Sequence, residues 1–182
     1  MKPWNEQSGF TMLELVIVFT IIAVVTALIA PNFAEYSRNA RLRSDAQSIY
    51  SLIYKAKMLA VKQHQEVQIF FDTASTPQAI RLFSNPGSNG TWDNGGDDVA
   101  IDIYTISSGN NFGHGTATSA IGASFDTDNV TFNDNAFTFN SRGLSSGSGY
   151  GYIENSRGKT YAVGVLTTGF IMFRQWSGSD WE

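Results

Sequence analysis

The sequence predicts an α+β fold, in which a long N-terminal helix packs on an antiparallel β-sheet or β-sandwich. Three observations predict it. An apolar block over residues 10–30 is long enough for a membrane-spanning helix, residues 31–65 carry apolar positions at helical spacing, and residues 66–182 combine strand-like alternation with frequent turn residues. We therefore expect a short leader at residues 1–9, followed by these three segments, of which the last forms a globular head.

Composition narrows the possible classes of function. The chain has 182 residues, 42% of them hydrophobic and 15% charged, and its 12 basic and 16 acidic residues give a formal charge of −4. It is too apolar for a disordered chain and too acidic for an obvious nucleic-acid binder. Because it has no cysteine and two histidines, disulfides, cysteine-based zinc sites and multi-histidine metal centres are excluded.

The apolar block, residues 10–30, contains 21 residues and one charge, Glu14. At a rise of ~1.5 Å per residue it would be about 31 Å long as a helix, which is enough to cross a hydrocarbon core. A buried helix of a soluble domain fits less well, because no face of the block is polar. A cleaved secretory signal also fits less well, because its apolar region is usually ~7–15 residues long and the small-residue site at 27–30 is weak.

Glu14 is the unusual residue of this block. A carboxylate at the centre of a membrane helix costs roughly 2.5–3.5 kcal/mol, and less near an end. The positions at helical spacing around it, Phe10, Thr11, Ile17 and Val18, offer no cation. Cleavage just before Phe10 would create an α-amino group with a pKa of about 7.7–8.0, largely protonated at neutral pH. We predict that this group pairs with Glu14 of the same chain or of a neighbour.

Residues Ser8–Leu15 (SGFTMLEL) resemble the processing motif of type IV prepilins and type II secretion prepseudopilins. In that family a membrane peptidase cleaves after the glycine and methylates the new N-terminal phenylalanine. The resemblance implies cleavage of the bond between Gly9 and Phe10 by a prepilin peptidase, N-methylation of Phe10, and a role of Glu14 in assembly. Pro31 stands where these helices commonly carry a helix-bending proline, and we expect it to act in assembly too.

The resemblance also implies the topology. Arg38, Arg41 and Arg43 follow the apolar block, so a plain positive-inside count favours placing this side in the cytoplasm. The family motif favours the opposite orientation, because the peptidase cuts on the cytoplasmic side. We therefore expect a single-pass protein of the bacterial inner membrane with its head in the periplasm. The motif has Met-Leu at 12–13, where the family usually has Leu-Ile, and both pairs are apolar.

Residues 31–65 are predicted to form an amphipathic periplasmic helix. Their apolar residues recur at steps of four and three, as one face of a helix requires. The stripe consists of Leu42, Ala46, Ile49, Ile53, Ala56 and Ala60. We expect this face to pack on a β-sheet, because alanines and the lack of sustained heptads disfavour a stand-alone coiled coil.

In the head, residues 66–182, apolar residues alternate from Val67 onwards, and several short segments are predicted as strands. These segments are 67–71, 80–83, 99–106, 130–132 and 137–139, followed by two predicted hairpins that join 152–154 to 159–161 and 163–165 to 171–173. Gly158 and Gly169 lie in the turns of these hairpins, where a positive φ is common.

The C-terminal half carries a second resemblance. Residues 137–144 (FTFNSRGL) and 151–171 (GYIENSRGKTYAVGVLTTGFI) are similar to the GspH/FimT family of minor pseudopilins and minor pilins. One branch of that family has a Gly-Arg-x-Arg pair linked to DNA uptake, whereas this chain has Arg174 alone after Gly169. The head has five basic and twelve acidic residues, a net charge of −7, so we expect no nucleic-acid partner.

Other candidate sites are weaker. Asp93, Asp97 and Asp98 lie in a Gly-rich acidic loop and are calcium candidates, but their spacing is not that of an EF-hand, so we expect no metal or other cofactor. The serines at 145, 146 and 148 have no base near them in sequence. We therefore expect no enzyme, although a membrane-tethered periplasmic hydrolase is the alternative from a different class.

Together these features predict a minor pseudopilin that polymerises into, or caps, the periplasmic pseudopilus of a type II secretion system. The alternative is a minor pilin of a type IV pilus that acts in assembly priming, adhesion or DNA uptake. The expected partners are the prepilin peptidase, other pilins or pseudopilins, and the inner membrane.

Overall fold

The computed structural model describes residues 10–122 and 124–182, without the side chains of 28–31. The chain divides into two compact units, one ending at Ser37 and one spanning Arg38–Glu182. The described residues form one long helix, α1 (Met12–Gln63), followed by eight strands. The strands are β1 (Val67–Asp72), β2 (Ala79–Phe83), β3 (Ala100–Thr105), β4 (Asn110–Phe112), β5 (Ala136–Phe139), β6 (Gly149–Asn155), β7 (Thr160–Val165) and β8 (Ile171–Gln175).

The eight strands form two antiparallel sheets of four strands each. Sheet A has the order β3-β2-β1-β5 and sheet B the order β4-β6-β7-β8. In sheet A, Ile69 of β1 lies opposite Leu82 of β2 and Phe137 of β5. In sheet B, Val163 of β7 lies opposite Gly151 of β6 and Phe173 of β8. The predicted α+β class, with a sandwich-like head on a long helix, is confirmed.

One face of α1 forms the core together with both sheets. The predicted stripe from Leu42 to Ala60 is buried throughout, because its period keeps every member on the same side of the helix. Side chains of both sheets complete this core, among them Phe71 and Val163. A Cβ at Gly151 would lie 2.7 Å from Cε1 of Phe71, so a residue without a side chain lets the two sheets approach.

The segment 130–132 is not a strand, although it was predicted as one. It makes a single bridge, between Val130 and Gly151, and then enters a 3-10 turn at Asn133–Asn135. Phe132 is nevertheless buried and stacks on Phe137 with 4.5 Å between ring centroids. Its apolar pattern therefore reports burial in the core and not strand pairing.

The C-terminal strands are longer than predicted and β7 is shared. Segments 159–161 and 163–165 are predicted in separate hairpins, but residues 160–161 and 163–165 all lie in β7. This strand pairs with β6 on one side and β8 on the other. Strand β4 is not predicted from the sequence, because Asn-Asn-Phe has neither alternation nor β-branched residues.

A partly buried ion pair joins β1 and β2 in sheet A. Arg81 donates to Asp72 Oδ2 at 2.7 Å, and the two side chains are 33% and 14% exposed. Burial opposes ionisation of Asp72, but hydrogen bonds from Arg81 and Ser75 outweigh it and lower the pKa of Asp72. A lowered pKa in the folded state means that the pair stabilises the fold above the unfolded pKa of about 3.9, and that this stabilisation is lost as the pH falls through the folded pKa.

We expect Asp72→Asn to lower the free energy of unfolding by about 1 kcal/mol at pH 7. The difference from the wild type should shrink as the pH falls from the unfolded pKa of about 3.9 through the lowered folded pKa of Asp72, because the wild-type carboxyl then becomes protonated in the folded state as well. Urea unfolding of the detergent-solubilised chain between pH 7 and pH 2 measures both values. A difference that stays constant over this range would contradict the prediction.

Candidate assembly site

The first turn of α1 holds the predicted processing and assembly residues. The helix begins at Met12, and the Thr11 hydroxyl accepts a hydrogen bond from the Glu14 N–H at 3.2 Å. Thr11 therefore caps the helix, and Thr11 with Glu14 matches the capping-box pattern. Glu14 lies in the first turn, where the helix dipole also favours a negative charge.

Within the described residues, 10–122 and 124–182, no basic group pairs with the Glu14 carboxylate. The ion pairs there are Lys55–Asp102 and Arg81–Asp72. Gly9 and the rest of the leader, and with them the carbonyl side of the predicted cleavage bond, lie outside the described residues. Pro31 lies within the span of α1, but its side chain is also outside the described part. The bend predicted at Pro31 and the pairing predicted for Glu14 therefore stay predictions.

The first part of α1 is exposed to solvent in the described part of the chain. All residues from Phe10 to Ala27 are exposed, including Phe10 itself at 77%. An apolar helix that is exposed on every side has no stable place in water, so it requires lipid or neighbouring helices around it.

In the described part of the chain, no single helix satisfies the length and hydropathy expected of a membrane span. Met12–Ala27 and Asn32–Gln63 satisfy them only as a pair, by length and composition. The span predicted at residues 10–30 therefore stays a prediction.

A buried carboxylate ties α1 to the segment between β3 and β4. Asp45 is 1% exposed, and the hydroxyls of Tyr104 and Ser107 donate to its Oδ1 at 2.8 and 2.7 Å. The Ser107 N–H and the Asn110 amide donate to Oδ2 at 3.1 and 2.7 Å. Burial raises the pKa of Tyr104, and its hydrogen bond to Asp45 acts in the same direction. The arrangement is a structural clamp, with four donors solvating one carboxylate.

The clamp on Asp45 is not predicted from the sequence. Asp45 interrupts no pattern, because it lies beside the apolar stripe of α1 and its partners come from residues about 60 positions later in the chain. One signal was available, because an acid directly before the buried Ala46 lies at the border of the apolar face.

A second contact fixes the β7–β8 turn to α1. Lys57 Nζ donates to the Gly169 carbonyl at 2.9 Å. Gly169 has a φ of +76°, and a Cβ there would lie 1.9 Å from the Gly143 carbonyl oxygen. Only glycine fits this turn, both because of its conformation and because of this close approach. The turn role predicted for Gly169 is therefore explained by the structure.

The acidic loop uses its carboxylates internally. Asp97 Oδ2 accepts hydrogen bonds from the Ser88 hydroxyl at 2.6 Å and the Ser88 N–H at 2.7 Å, and these bonds lower the pKa of Asp97. Asp98 Oδ2 accepts from the Asp93 N–H at 2.8 Å, and Asp93 Oδ2 accepts from the Asn89 amide at 2.6 Å. Across the described ranges, no three acidic or histidine side chains are grouped to hold a metal ion.

We expect calcium to leave the melting temperature of the chain unchanged, because each of the three aspartates already accepts loop hydrogen bonds. Differential scanning fluorimetry with added CaCl₂ and with EDTA tests this, and Asp97→Ala is the matched control. One Asp98 oxygen, Oδ1, is buried without a hydrogen-bond partner among the described residues. A carboxylate oxygen of this kind is a calcium ligand, so calcium binding is an outcome that the test can detect. A calcium-dependent rise that Asp97→Ala abolishes would contradict the expectation and establish a site at Asp93, Asp97 and Asp98.

Two protein-family models match the chain. The one described as type II transport protein GspH matches residues 45–169, which is about two thirds of the chain. The one described as the prokaryotic N-terminal methylation motif matches residues 4–30. The second match contains the whole predicted processing motif, and the first contains most of the head.

Among curated proteins, the chain is similar to the prepilin peptidase-dependent protein A of Clostridium perfringens (strain 13 / Type A), with 34% identity over 55 residues. The match covers 30% of this chain and 39% of that relative, so the chain spans about two fifths of the length of the curated relative it matches.

Among solved structures, the chain is similar to the type IV minor pilin FimU of Pseudomonas aeruginosa, at 12% identity and a TM-score of 0.54, over 81% of this chain and 96% of that one. It is also similar to the minor pseudopilin EpsH of the type 2 secretion system of Vibrio cholerae, at 12% identity and a TM-score of 0.50, over 73% and 95% of the two chains. At this identity the similarity concerns the fold, and it agrees with the long helix and antiparallel sheets described above.

Proposed function

Because the chain belongs to the GspH family of type II transport proteins, we propose that it is a minor pseudopilin. It polymerises into, or caps, the periplasmic pseudopilus of a type II secretion system. It acts as a structural subunit, and its partners are the prepilin peptidase and other pilin-type subunits. The observation that carries the proposal is the apolar segment from Phe10 to Ala27, which is exposed on every side and begins within the processing motif Ser8–Leu15.

The apolar helix has two successive environments in this proposal. Before assembly, lipid of the bacterial inner membrane surrounds residues 10–30, with the head in the periplasm. After assembly, the helices of neighbouring subunits replace the lipid. The exchange is inexpensive for the apolar side chains, because neighbouring helices are as apolar as lipid tails.

Glu14 makes the replacement of lipid by neighbouring helices selective. Cleavage between Gly9 and Phe10 removes residues 1–9 and exposes the Phe10 amine, and N-methylation leaves that amine basic. Thr11 caps the helix through the Glu14 N–H, so Glu14 lies in the first turn, four residues after Phe10. Pairing between this carboxylate and a terminal amine offsets the cost of a charge in an apolar medium.

The rest of α1 offers a further packing surface. The stripe from Leu42 to Ala60 faces the core, whereas Tyr54 and Met58, on the opposite side of the helix, are each 51% exposed. These two residues lie four positions apart on one helix face, so a neighbouring helix can cover both. We propose that this face continues the filament contact beyond the membrane segment.

A minor pilin of a type IV pilus is the alternative role. The processing motif and the fold are common to both machines, so neither separates them. The genes beside this one discriminate, because a secretion ATPase with an outer-membrane secretin and pseudopilins indicates the first role, and pilus retraction or adhesin genes indicate the second.

We expect the mature protein, isolated from its native host, to begin with N-methylated Phe10. Intact-mass and N-terminal peptide mass spectrometry measure this, and deletion of the prepilin peptidase gene is the control that should leave Met1 or the unprocessed leader in place. A mature protein that retains residues 1–9 in cells with an active peptidase would overturn the proposal.

A further inference from the structure

A small open pocket lies on the face of sheet A that points away from the core. Val67, Ile69 and Phe71 of β1 belong to the core, so Gln68, which alternates with them, lies on the opposite face of the strand. Thr138 of β5 is the register partner of Gln68 and shares this face. The pocket has a volume of about 220 Å³, and the acidic loop and the 3-10 turn complete its walls. Its lining, here called the Gln68 pocket, includes Gln68, Trp92, Asn94, Asp134, Thr138 and Ser146.

Two amide oxygens of this lining have no hydrogen-bond partner among the described residues. Gln68 is 5% exposed, and its Oε1 is buried and unpaired. Oδ1 of Asn94 is likewise buried and unpaired. A buried carbonyl oxygen without a partner destabilises a fold, and native proteins rarely keep one that serves neither water nor a ligand. The two oxygens therefore indicate that the Gln68 pocket receives hydrogen-bond donors.

The loop wall of the pocket is held in place by its own hydrogen bonds. Oδ2 of Asp98 accepts from the N–H groups of Asp93 and Gly95, at 2.8 and 3.3 Å. These two residues flank Asn94, so the backbone on both sides of Asn94 is fixed. The Asn94 amide is therefore positioned before any ligand arrives, which lowers the entropic cost of binding.

The other polar and aromatic groups of the lining suit a ring with hydroxyl groups on its rim. Trp92 is partly exposed and offers an aromatic surface on which an apolar ring face can pack. On the opposite wall, the Thr138 N–H donates to the Ser146 hydroxyl at 2.9 Å. A hydroxyl that accepts one hydrogen bond can still donate another, so Ser146 can bond to an oxygen of the ligand.

The charge of the lining selects a neutral ligand. Within the described ranges, no basic side chain lines the Gln68 pocket, and its one carboxylate, Asp134, takes part in neither ion pair. A phosphate or carboxylate would find no cation there and would be repelled by Asp134. The volume is below the roughly 300–1,000 Å³ of sites for drug-sized ligands, so it suits one ring.

We propose that the Gln68 pocket binds a single neutral hexose ring. The sugar hydroxyls donate to the unpaired oxygens of Gln68 and Asn94, a further hydroxyl donates to Asp134, and one face of the ring packs on Trp92. Water occupies these positions in the free protein, and the sugar replaces it without loss of hydrogen bonds. The proposal goes beyond the filament role and does not depend on it.

Saturation-transfer-difference NMR of the full chain tests the proposal. The ligands are glucose, galactose and mannose, each as the free sugar and as the methyl glycoside. The chain is solubilised in lauryldimethylamine oxide, because detergents with sugar headgroups would compete for the pocket. We expect saturation of the ring protons of at least one of these sugars, and none of methyl glucuronide, which is anionic, or of sorbitol, which has hydroxyl groups but no ring. No saturation of any of the three sugars, or equal saturation of the glucuronide, would overturn the proposal.

Gln68→Leu separates ligand binding from a structural role. Leucine has a similar volume but no amide, so we expect the Kd of the responding sugar to rise by at least roughly tenfold. The melting temperature should stay the same or rise, because a buried unpaired oxygen is removed. Gln47→Leu is the matched control, since Gln47 is an exposed glutamine of α1 outside the pocket and should leave binding unchanged.

Trp92→Ala is the second variant, and it should also weaken binding by at least roughly tenfold, because the ring face loses its packing surface. Binding that survives in either variant would place the sugar elsewhere and overturn the proposal. A marked fall in the melting temperature of Gln68→Leu would show that this amide serves the fold, and would overturn the proposal as well.

The two forms of each sugar identify the source of the ligand. A residue within a glycan has a substituted anomeric oxygen, as in a methyl glycoside, whereas a free monosaccharide has an anomeric hydroxyl. Equal affinity for the two forms would support the proposal with a glycan as the source. Binding of the free form alone would support it with a free monosaccharide as the source.

Discussion

Glu14→Ala is expected to be cleaved after Gly9 as efficiently as the wild type but to be nearly absent from filaments. The variant removes a carboxylate, which costs roughly 2.5–3.5 kcal/mol at the centre of a membrane helix and less near an end, where Glu14 lies. The helix of the variant is therefore more stable in lipid than the wild-type helix. Its own terminal amine, or that of a neighbour, also loses its counter-charge, and both effects favour the membrane pool over the filament.

The measurement compares two fractions of the same cells. Mass spectrometry of the N-terminus reports cleavage, and quantitative immunoblotting of sheared filaments against membranes reports incorporation. Glu35→Ala is the matched control, because Glu35 is an exposed glutamate on α1 beyond the apolar block. Normal incorporation of Glu14→Ala would refute the pairing role, and loss of cleavage in this variant would show that Glu14 acts on the peptidase instead.

Asp45→Asn is expected to destabilise the head by about 2–4 kcal/mol, although it changes one atom. Oδ1 of Asp45 accepts from Tyr104 and Ser107, and an asparagine oxygen can still do so. The asparagine amide would then face the Ser107 N–H and the Asn110 amide, which are both donors. Buried donors that face each other lose their hydrogen bonds and do not regain water.

Asp102→Asn is the control for this substitution. Asp102 pairs with Lys55 at 2.6 Å, also between α1 and β3, but the two side chains are 38% and 51% exposed. An exposed pair of this kind contributes about 0–1 kcal/mol. Thermal unfolding of both detergent-solubilised variants, followed by near-UV circular dichroism, gives the comparison. Equal destabilisation by the two variants would contradict the role of burial.

Periodicity predicted the elements whose environment follows from local sequence. The stripe from Leu42 to Ala60 repeats at helical spacing, and all its members are buried as predicted. Val67, Ile69 and Phe71 alternate along β1, and they too are buried as predicted. In both cases one face of a regular element packs against the core, so the spacing of apolar residues indicates which face is buried.

The strand prediction for residues 130–132 was wrong because residues can be buried without pairing in a sheet. Val130 and Phe132 are buried without forming a ladder, because the backbone turns away at Asn133–Asn135. The split of β7 into two segments had another cause. All six of its residues are buried, since the strand is central and covered on both faces, and alternation then gives no boundary.

The sequence by itself determined the processing motif, the position of Glu14 within an apolar block, the buried face of α1 and the α+β class, since each depends on residue type and spacing along a continuous stretch of chain. The tertiary structure alone decided the clamp on Asp45, the sharing of β7 between two hairpins, and the close approach of Gly169 to Gly143. These features join residues tens of positions apart, and their energies come from the removal of water at contacts that form only when the sheets close on the helix.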